Sequence, residues 1–313
     1  MKIPTVLVVE DYEPFRRFVC SSLQQEFRVF QALDGFEAIQ QAEDLQPDLI
    51  LLDIGLPKLN GIEVAKHVRG LASHARILFL SQHSEPELIR QTLRLGAHGY
   101  LQKPRVQSEL LPAIETVLGG RRFVSSVPWY DEDAETYGRH KVQFCSDDSV
   151  FLEGVSLFIG GALKAHNPAI VMATKSHREG LVRRLNQAGV DVDSAIQHRT
   201  FVLLDAAEML STVMANGVPD CDRFSEGLTG LIETAAKTVR TDSPRVAIFG
   251  ECVGLLYAEG NLDAALSLEK AGNDMLKTHN IHILCSYPSL HWLLDKDSFR
   301  SISTEHTAVY SAP

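Results

Sequence analysis

Short, uninterrupted apolar runs recur through the first third of this chain: TVLVV at 5–9, LILL at 49–52, ILFL at 77–80 and the shorter YL at 100–101. Continuous apolar runs of this length read as strands buried on both faces, as in a parallel sheet covered by helices. Phe27–Ala32 supplies one more strand. Between the strands, helical periodicity covers Pro14–Gln25, Phe36–Glu43, Ile62–Arg69 and Ser108–Leu118. A further helix opens at Ser84-Glu85-Pro86-Glu87, a capping-box pattern, and ends at Gly96. Five successive β/α units predict an α/β domain with a parallel sheet and helices on both faces.

The residues that close these runs carry the chemistry. Glu10 and Asp11 follow the first run, Asp53 the second, Ser81 the third, and Lys103 follows YLQ. In an open α/β sheet, functional groups gather beyond the carboxyl ends of the strands. Three carboxylates, a hydroxyl and an ammonium would therefore share one rim. Adjacent Glu10 and Asp11 allow one carboxylate to bind a cation directly and the other through water, an arrangement Mg²⁺ prefers. Lys103 can place its charge on a phosphoryl group carried by Asp53, and Ser81 can hydrogen-bond that group. Pro57 and Asn60-Gly61 form a loop that keeps Asp53 open to solvent.

At 313 residues the chain is long for one core, so two domains are expected. No apolar stretch approaches the roughly 20 residues that span a bilayer. The first strand begins within five residues, with no basic segment or cleavage site, so the expectation is a cytoplasmic protein that does not contact membrane. Five cysteines without a CxxC pair argue against a disulfide framework, and Cys145, Cys252 and Cys285 near strand ends read as small buried hydrophobes, with a ligand-lining thiol as the alternative. The net charge of −10 is uneven: residues 1–121 hold 13 Lys+Arg against 15 Asp+Glu, and residues 122–313 hold 17 against 25. An acidic second half is a poor phosphate-backbone binder, so no direct nucleic-acid contact is expected.

Several motifs carry a family resemblance: VVED at 8–11, LLDIGLPKLNG at 51–61, LFLS at 78–81, GAHGYLQKP at 96–104 and GGRRFVS at 119–125. Residues 1–122 resemble a response-regulator receiver domain. The resemblance implies a flavodoxin-like, five-stranded sheet and phosphorylation of Asp53 by a histidine kinase or phosphotransfer protein. It implies Mg²⁺ held by Asp11, Asp53 and the Gly55 carbonyl, with Glu10 acting through water. Ser81 and Lys103 would read the phosphate, and Tyr100 matches the switch aromatic that turns inward. Gln82 departs from the small residue usual beside Ser81, and its amide could crowd the phosphoryl group or position a water for its hydrolysis. Receivers ending in GGRRFVS often continue into a DNA-binding helix-turn-helix. None follows here, so a direct transcription factor is not expected.

Residues 123–139 read as a linker, since DEDAETYGR at 131–139 is acidic and aperiodic. Beyond it, strands are predicted at Val142–Cys145, Ala169–Ala173, Phe201–Leu204, Val246–Phe249 and Ile281–Cys285, with helices at Arg178–Ala188, Phe224–Arg240 and Asn261–Lys277. This is a second α/β domain. The loop after Ala173 lacks the glycines and GK[ST] ending of a P-loop, and Ser176 and Glu179 have capping-box spacing. By the strand-end argument Thr174, His177, Asp205 and Glu251 could line a pocket, as metal ligands or an acid–base set. Asp205 and Glu251 could equally cap the following helices.

QFCSDDSVFLEGVSLFIGGAL at 143–163, VMATKSHREGLVRRLNQAGVDVD at 171–193, LLDAAEML at 203–210, GVPDCDRF at 217–224, FGECVGLLYAEGNLDAALSLE at 249–269 and LCSYP at 284–288 give residues 140–298 a resemblance to the MEDS sensory domain. That family is similar in pattern to RecA-like ATPase cores with the phosphate loop lost, and its resemblance implies sensing of a small organic ligand. Residues 299–313 show no periodicity and read as a disordered tail. The combined expectation is a two-component response regulator with a ligand-sensing output domain, open to receiver-mediated homodimerisation and with no enzyme activity beyond phosphorylation and dephosphorylation at Asp53. A receiver-controlled enzyme and a pure docking adaptor are the alternatives.

Overall fold

The computed structural model describes residues 3–127, 129, 139–239, 244–288 and 296–312. Two compact units divide at Ser125 and Ser126.

The first unit alternates strand and helix: β1 (Thr5–Val9), α1 (Glu13–Leu23), β2 (Arg28–Ala32), α2 (Gly35–Leu45), β3 (Leu49–Asp53), α3 (Gly61–Leu71), β4 (Arg76–Ser81), α4 (Pro86–Arg94), β5 (Gly99–Gln102), α5 (Val106–Leu118) and β6 (Arg122–Val124). The strands lie in the order β2-β1-β3-β4-β5-β6 with parallel pairings. β1 sits between β2 and β3, so the connections reverse direction there, and a crevice opens at the carboxyl ends of β1 and β3. The unit is flavodoxin-like. Val6–Val9 and Leu49–Leu52 are fully excluded from solvent, as their unbroken apolar character requires.

β6 extends the expected five strands and starts before the expected linker. Phe123 and Val124 are buried, and the Ser125 N–H donates to the Tyr100 carbonyl at 2.8 Å. Gly99 makes this pairing possible, because a Cβ there would lie 2.8 Å from the Phe123 carbonyl oxygen. Most of the remaining linker, residues 128 and 130–138, lies outside the described residues.

Caps set several helix starts. Asp34 accepts from the N–H groups of Phe36 and Glu37, and Asn60 from that of Glu63. The capping box expected at 84–87 does not form. Glu85 is the cap position, without a side-chain bond, and Pro86 opens α4, where its fixed φ and missing N–H suit the first turn.

The second unit contains β7 (His140–Cys145), α6 (Asp148–Lys164), β8 (Ala169–Ala173), α7 (Lys175–Gln187), α8 (Val192–Gln197), β9 (Phe201–Asp205), α9 (Ala206–Val213), a small hairpin of β10 (Met214–Ala215) and β11 (Val218–Pro219), and α10 (Cys221–Ala236). It continues with β12 (Val246–Gly250), α11 (Cys252–Ala258), α12 (Leu262–Thr278), β13 (Ile281–Pro288), α13 (Lys296–Thr304) and β14 (Ala308–Ala312). Its main sheet runs β14-β7-β13-β12-β8-β9 with parallel pairings. Helix α6 packs on it through Phe151, Val155, Phe158 and Ala162.

Two expectations are corrected here. Residues 299–312 are not disordered: Phe299 and Ile302 of α13 are buried, and Ala308–Ala312 form a strand paired in parallel with Lys141–Cys145. The pairing partner is distant in sequence, so local periodicity carried no sign of it. The second proposed capping box also fails, because α7 starts at Lys175 and Ser176 lies inside it. Thr174 takes the cap position without a side-chain cap, and its hydroxyl donates instead to Glu251 Oε1 at 3.4 Å.

Candidate functional sites

At the carboxyl edge of the first sheet, Glu10, Asp11 and Asp53 bring carboxylate oxygens within 4.8 Å of one another. Lys103, delivered by the end of β5, places Nζ 2.7 Å from Glu10 Oε2 and 2.9 Å from Asp53 Oδ2. The other Asp53 oxygen accepts the Gly55 N–H at 3.1 Å, which anchors the loop carrying the Gly55 carbonyl. Glu10 and Asp53 are buried and Asp11 is exposed, so the loop carrying Pro57 and Asn60-Gly61 does not leave Asp53 open to solvent, because Lys103 covers its carboxylate. Burial pushes the Glu10 carboxyl up, with Lys103 opposing and the Asp53 charge reinforcing. Burial pulls Lys103 down, but its contacts with Glu10 and Asp53 outweigh this and hold it above its usual value. Three carboxylates facing one ammonium leave a net negative cluster of hard oxygen donors, which fits Mg²⁺.

Gly61 fixes the loop against this site. A Cβ there would lie 2.1 Å from the Asp53 carbonyl oxygen, so the chain passes with no room for a side chain. Ser81 is buried, and its Oγ accepts the His83 N–H at 3.1 Å. Tyr100 is fully buried, and its hydroxyl donates to the His83 carbonyl at 2.8 Å. Gln82 between them is exposed.

Two contributors escaped the sequence reading. Arg16 donates to the Glu10 carbonyl at 2.8 Å and the Asp11 carbonyl at 3.2 Å, holding the acidic pair's backbone. Its signal was present: Arg16, Val19, Cys20 and Leu23 form the buried stripe of α1, and an arginine on such a stripe needs a partner. His83, through both its backbone groups, joins Ser81 to Tyr100.

In the second unit, a cavity of about 240 Å³ opens near the carboxyl ends of β7 and β13, beside the residue that follows β12. Cys145, Phe151, His177, Glu251, Gly254 and Tyr287 are among its lining residues. His177 stacks on Phe151 with ring centroids 4.1 Å apart. Its Nδ1 lies 2.8 Å from Glu251 Oε1, and its Nε2 lies 3.4 Å from Asp148 Oδ1. Burial lowers the His177 imidazole, but Glu251 and then Asp148 more than offset it and set its pKa above the usual value. Glu251 Oε2 accepts the Thr174 N–H at 2.8 Å.

Thr174, His177 and Glu251 therefore meet, and Asp205 does not join them. Asp205 Oδ1 caps α9 through the N–H groups of Ala207 and Glu208, and Oδ2 binds Arg178 at 2.8 Å. The cap alternative holds for Asp205 and fails for Glu251, which caps no helix with its side chain. Phe151 was missed as a pocket residue, because an apolar position on a helix looks the same in sequence whether it faces the core or a cavity, whereas the thiol of Cys145 does line the cavity.

An open parallel sheet with an acidic rim and an inserted lysine defines a receiver-type domain. Residues 6–115 match the response regulator receiver domain, and residues 139–304 match MEDS, the MEthanogen/methylotroph, DcmR Sensory domain. Chemotaxis protein CheY of Halobacterium salinarum is 31% identical over 114 residues, which are 36% of this chain and 95% of that protein. Transcriptional activator protein ExaE of Pseudomonas putida is 33% identical over 122 residues, 38% of this chain and 57% of that protein. The chain thus spans about half the length of such transcriptional regulators. The structure of Vibrio cholerae chemotaxis protein CheY4 aligns at 32% identity and a TM-score of 0.36, covering 37% of this chain and 99% of that one. The chain belongs to the response regulators through its first unit and to the MEDS family through its second. No helix among the described residues is long and apolar enough to cross a membrane.

Proposed function

We propose that Asp53 is the phosphoacceptor of a two-component relay and that the MEDS unit binds a small organic ligand as the sensory output. The observation that carries the first half is the placement of Asp53, with Lys103 2.9 Å from one oxygen and Glu10 and Asp11 alongside. An Asp53 carboxylate oxygen attacks the phosphorus of a phosphohistidine on a histidine kinase or phosphotransfer protein. The P–N bond breaks, a P–O bond to Asp53 forms, and the leaving imidazole takes up a proton. Asp11, Asp53 and the Gly55 carbonyl, with Glu10 through water, would hold Mg²⁺, which when bound would supply positive charge to the phosphoryl oxygens. Lys103 moves its contact from the Asp53 carboxylate to the phosphoryl group, and Ser81 donates its hydroxyl to it. Ser81 and Tyr100 both bind the His83 backbone, so any shift of Ser81 is passed to Tyr100.

Treatment of the full chain with a small phosphodonor and Mg²⁺ tests this by intact mass. One phosphoryl group should add to the wild type and none to Asp53→Asn. Equal phosphorylation of the variant refutes the assignment.

For the second unit, the cavity's apolar wall at Phe151 and its polar His177–Glu251 edge favour a small organic molecule with one polar group. One feature argues against a nucleotide: the N–H groups of Ser149 and Val150 at the start of α6 are occupied by Asp147 Oδ1, so that helix start does not offer them to a phosphate. A thermal-shift screen of short alcohols, halocarbons and nucleotides tests this: stabilisation by ATP overturns it, and turnover of the bound compound replaces sensing by catalysis.

A further inference from the structure

We propose that His140, Glu269, Cys285 and His306 form a buried four-coordinate site for a divalent transition-metal ion of the zinc class. The inference stands apart from the phosphoacceptor and the ligand cavity and does not depend on either.

The four residues come from separate elements: β7, α12, β13 and the turn between α13 and β14. All four are buried, and their ligand atoms lie within 4.8 Å of one another. Glu269 Oε2 lies 3.1 Å from His140 Nε2, 3.3 Å from His306 Nε2 and 3.1 Å from Cys285 Sγ. Cys285 Sγ lies 3.6 Å from His140 Nε2. A tetrahedral ion with metal–nitrogen and metal–oxygen bonds of ~2.0–2.1 Å and a metal–sulfur bond of ~2.3 Å requires ligand-to-ligand edges of roughly 3.3–3.6 Å. These four separations lie within about 0.5 Å of those edges, and all six lie within 4.8 Å.

The surroundings orient the ligands as a metal site does. His140 Nδ1 lies 2.9 Å from Asn273 Oδ1, and His306 Nδ1 lies 2.7 Å from the Ile302 carbonyl. The Asn273 amide is fixed by its Nδ2, which donates to the Glu305 carbonyl and carboxylate. Both partners of the Nδ1 atoms are acceptors, so each Nδ1 carries the hydrogen. In the neutral rings each Nε2 then presents a lone pair to the centre.

Glu269 is held in the same way. Its Oε1 accepts the Tyr287 hydroxyl at 2.7 Å, which leaves Oε2 for the centre. Its ion-pair partners among the described residues are the two histidines. His306 Nε2 is itself buried without a hydrogen-bond partner. When both rings bind an ion through Nε2, a divalent cation at the centre supplies the positive charge that the buried Glu269 carboxylate faces and displaces the Cys285 thiol proton. A mixed sulfur, nitrogen and oxygen set in tetrahedral reach suits zinc and disfavours magnesium or calcium. Such a site would clamp the C-terminal segment to the sheet. It would also lie one hydroxyl from the ligand cavity, since Tyr287 lines that cavity and binds Glu269.

Cobalt reports this geometry directly. The full chain, stripped with a chelator and checked by circular dichroism, is titrated with Co²⁺. One equivalent should produce a thiolate-to-cobalt charge-transfer band and the intense visible bands of tetrahedral Co²⁺, both bleached by one equivalent of Zn²⁺. Cys285→Ser should lose the charge-transfer band and keep visible bands, and Asn273→Ala should weaken binding by about 10–100-fold. A chain that loses structure on stripping and regains it with Zn²⁺ also supports the site. The receiver carboxylates carry no thiolate and cannot give the charge-transfer band. Absence of that band in a folded chain, or its survival in Cys285→Ser, overturns the proposal.

Discussion

Lys103 joins two carboxylates that burial would otherwise set against each other, so replacing it with methionine tests how the acidic rim is held. Nζ lies 2.7 Å from Glu10 Oε2 and 2.9 Å from Asp53 Oδ2, and the Lys103 side chain is 10% exposed. Each contact has a gross attraction of about 6 kcal/mol at an effective dielectric constant of about 20, most of which desolvation of the ammonium cancels. Removing one partner of a buried pair costs about 3–5 kcal/mol, because the remaining charge is uncompensated. Glu10 supplies an escape. Its carboxyl already sits above the usual value of 4.5, and loss of the lysine raises it further, so the variant takes up a proton as pH falls. A carboxyl raised in the folded state loses stability as pH rises from its unfolded value through its folded one. Lys103→Met should therefore be destabilised by about 3 kcal/mol at pH 8 and by about half of that near pH 5.

Hydrogen exchange read by mass spectrometry reports on the first unit peptide by peptide, in chelator-containing buffer and with wild type at the same pH as reference. In the regime where exchange follows opening equilibria, 3 kcal/mol accelerates exchange in β1 and β3 by about 100-fold. Peptides of β8 and β12 serve as the internal control and should not change. Equal exchange in variant and wild type, or a difference that is the same at pH 5 and pH 8, refutes the description of Lys103 as the compensating charge.

Three further outcomes follow from individual contacts. Gln82→Ala should slow hydrolysis of phosphorylated Asp53 by roughly tenfold if the exposed amide orients the attacking water, as read from the decay of the phosphoryl mass; an unchanged lifetime removes Gln82 from the reaction. Gly61→Ala should destabilise the first unit by about 1–3 kcal/mol, because its Cβ would meet the Asp53 carbonyl oxygen at 2.1 Å, and it should slow phosphorylation by displacing Asp53. Faster exchange in β3 peptides and a lower initial rate with phosphodonor check this. Glu251→Gln removes the main group that raises His177. The stabilisation carried by a raised histidine is complete below about pH 6.5 and is lost as pH rises through the folded value, so the wild-type advantage in thermal midpoint should shrink between pH 6 and pH 9.

The charged groups at the rim of the first site that the sequence disclosed share one property: each follows or ends a strand whose apolar run is visible by itself. Asp53 follows LILL and Lys103 follows YLQ, and parallel topology then places their ends at one edge. Arg16 was marked only by its place on the buried stripe of α1, and His83 acts through its backbone N–H and carbonyl, which no residue pattern marks. Asp205 and Glu251 both stand just after or at the end of strands, and position alone could not separate them. Arg178 decides it by taking Asp205 Oδ2, while Glu251 reaches the Thr174 N–H and His177.

The C-terminal segment shows the limit most clearly. Ala308–Ala312 and the burial of Phe299 and Ile302 depend on β7, which begins more than 150 residues earlier. A short strand of this kind gains its stability from the strand it pairs with and carries little local signal. Folding that segment back onto β7 is also what carries His306 to His140, with ring centroids 4.2 Å apart, and the Thr307 hydroxyl to the His140 carbonyl at 2.7 Å. The segment that looked least structured is therefore the one that completes the buried His-Glu-Cys-His cluster. Cysteine 285 reads as a core hydrophobe and Glu269 as one more acidic residue on a helix until that closure is made. Clusters assembled by long-range strand pairing carry no spacing motif, so only the fold could bring this one into view.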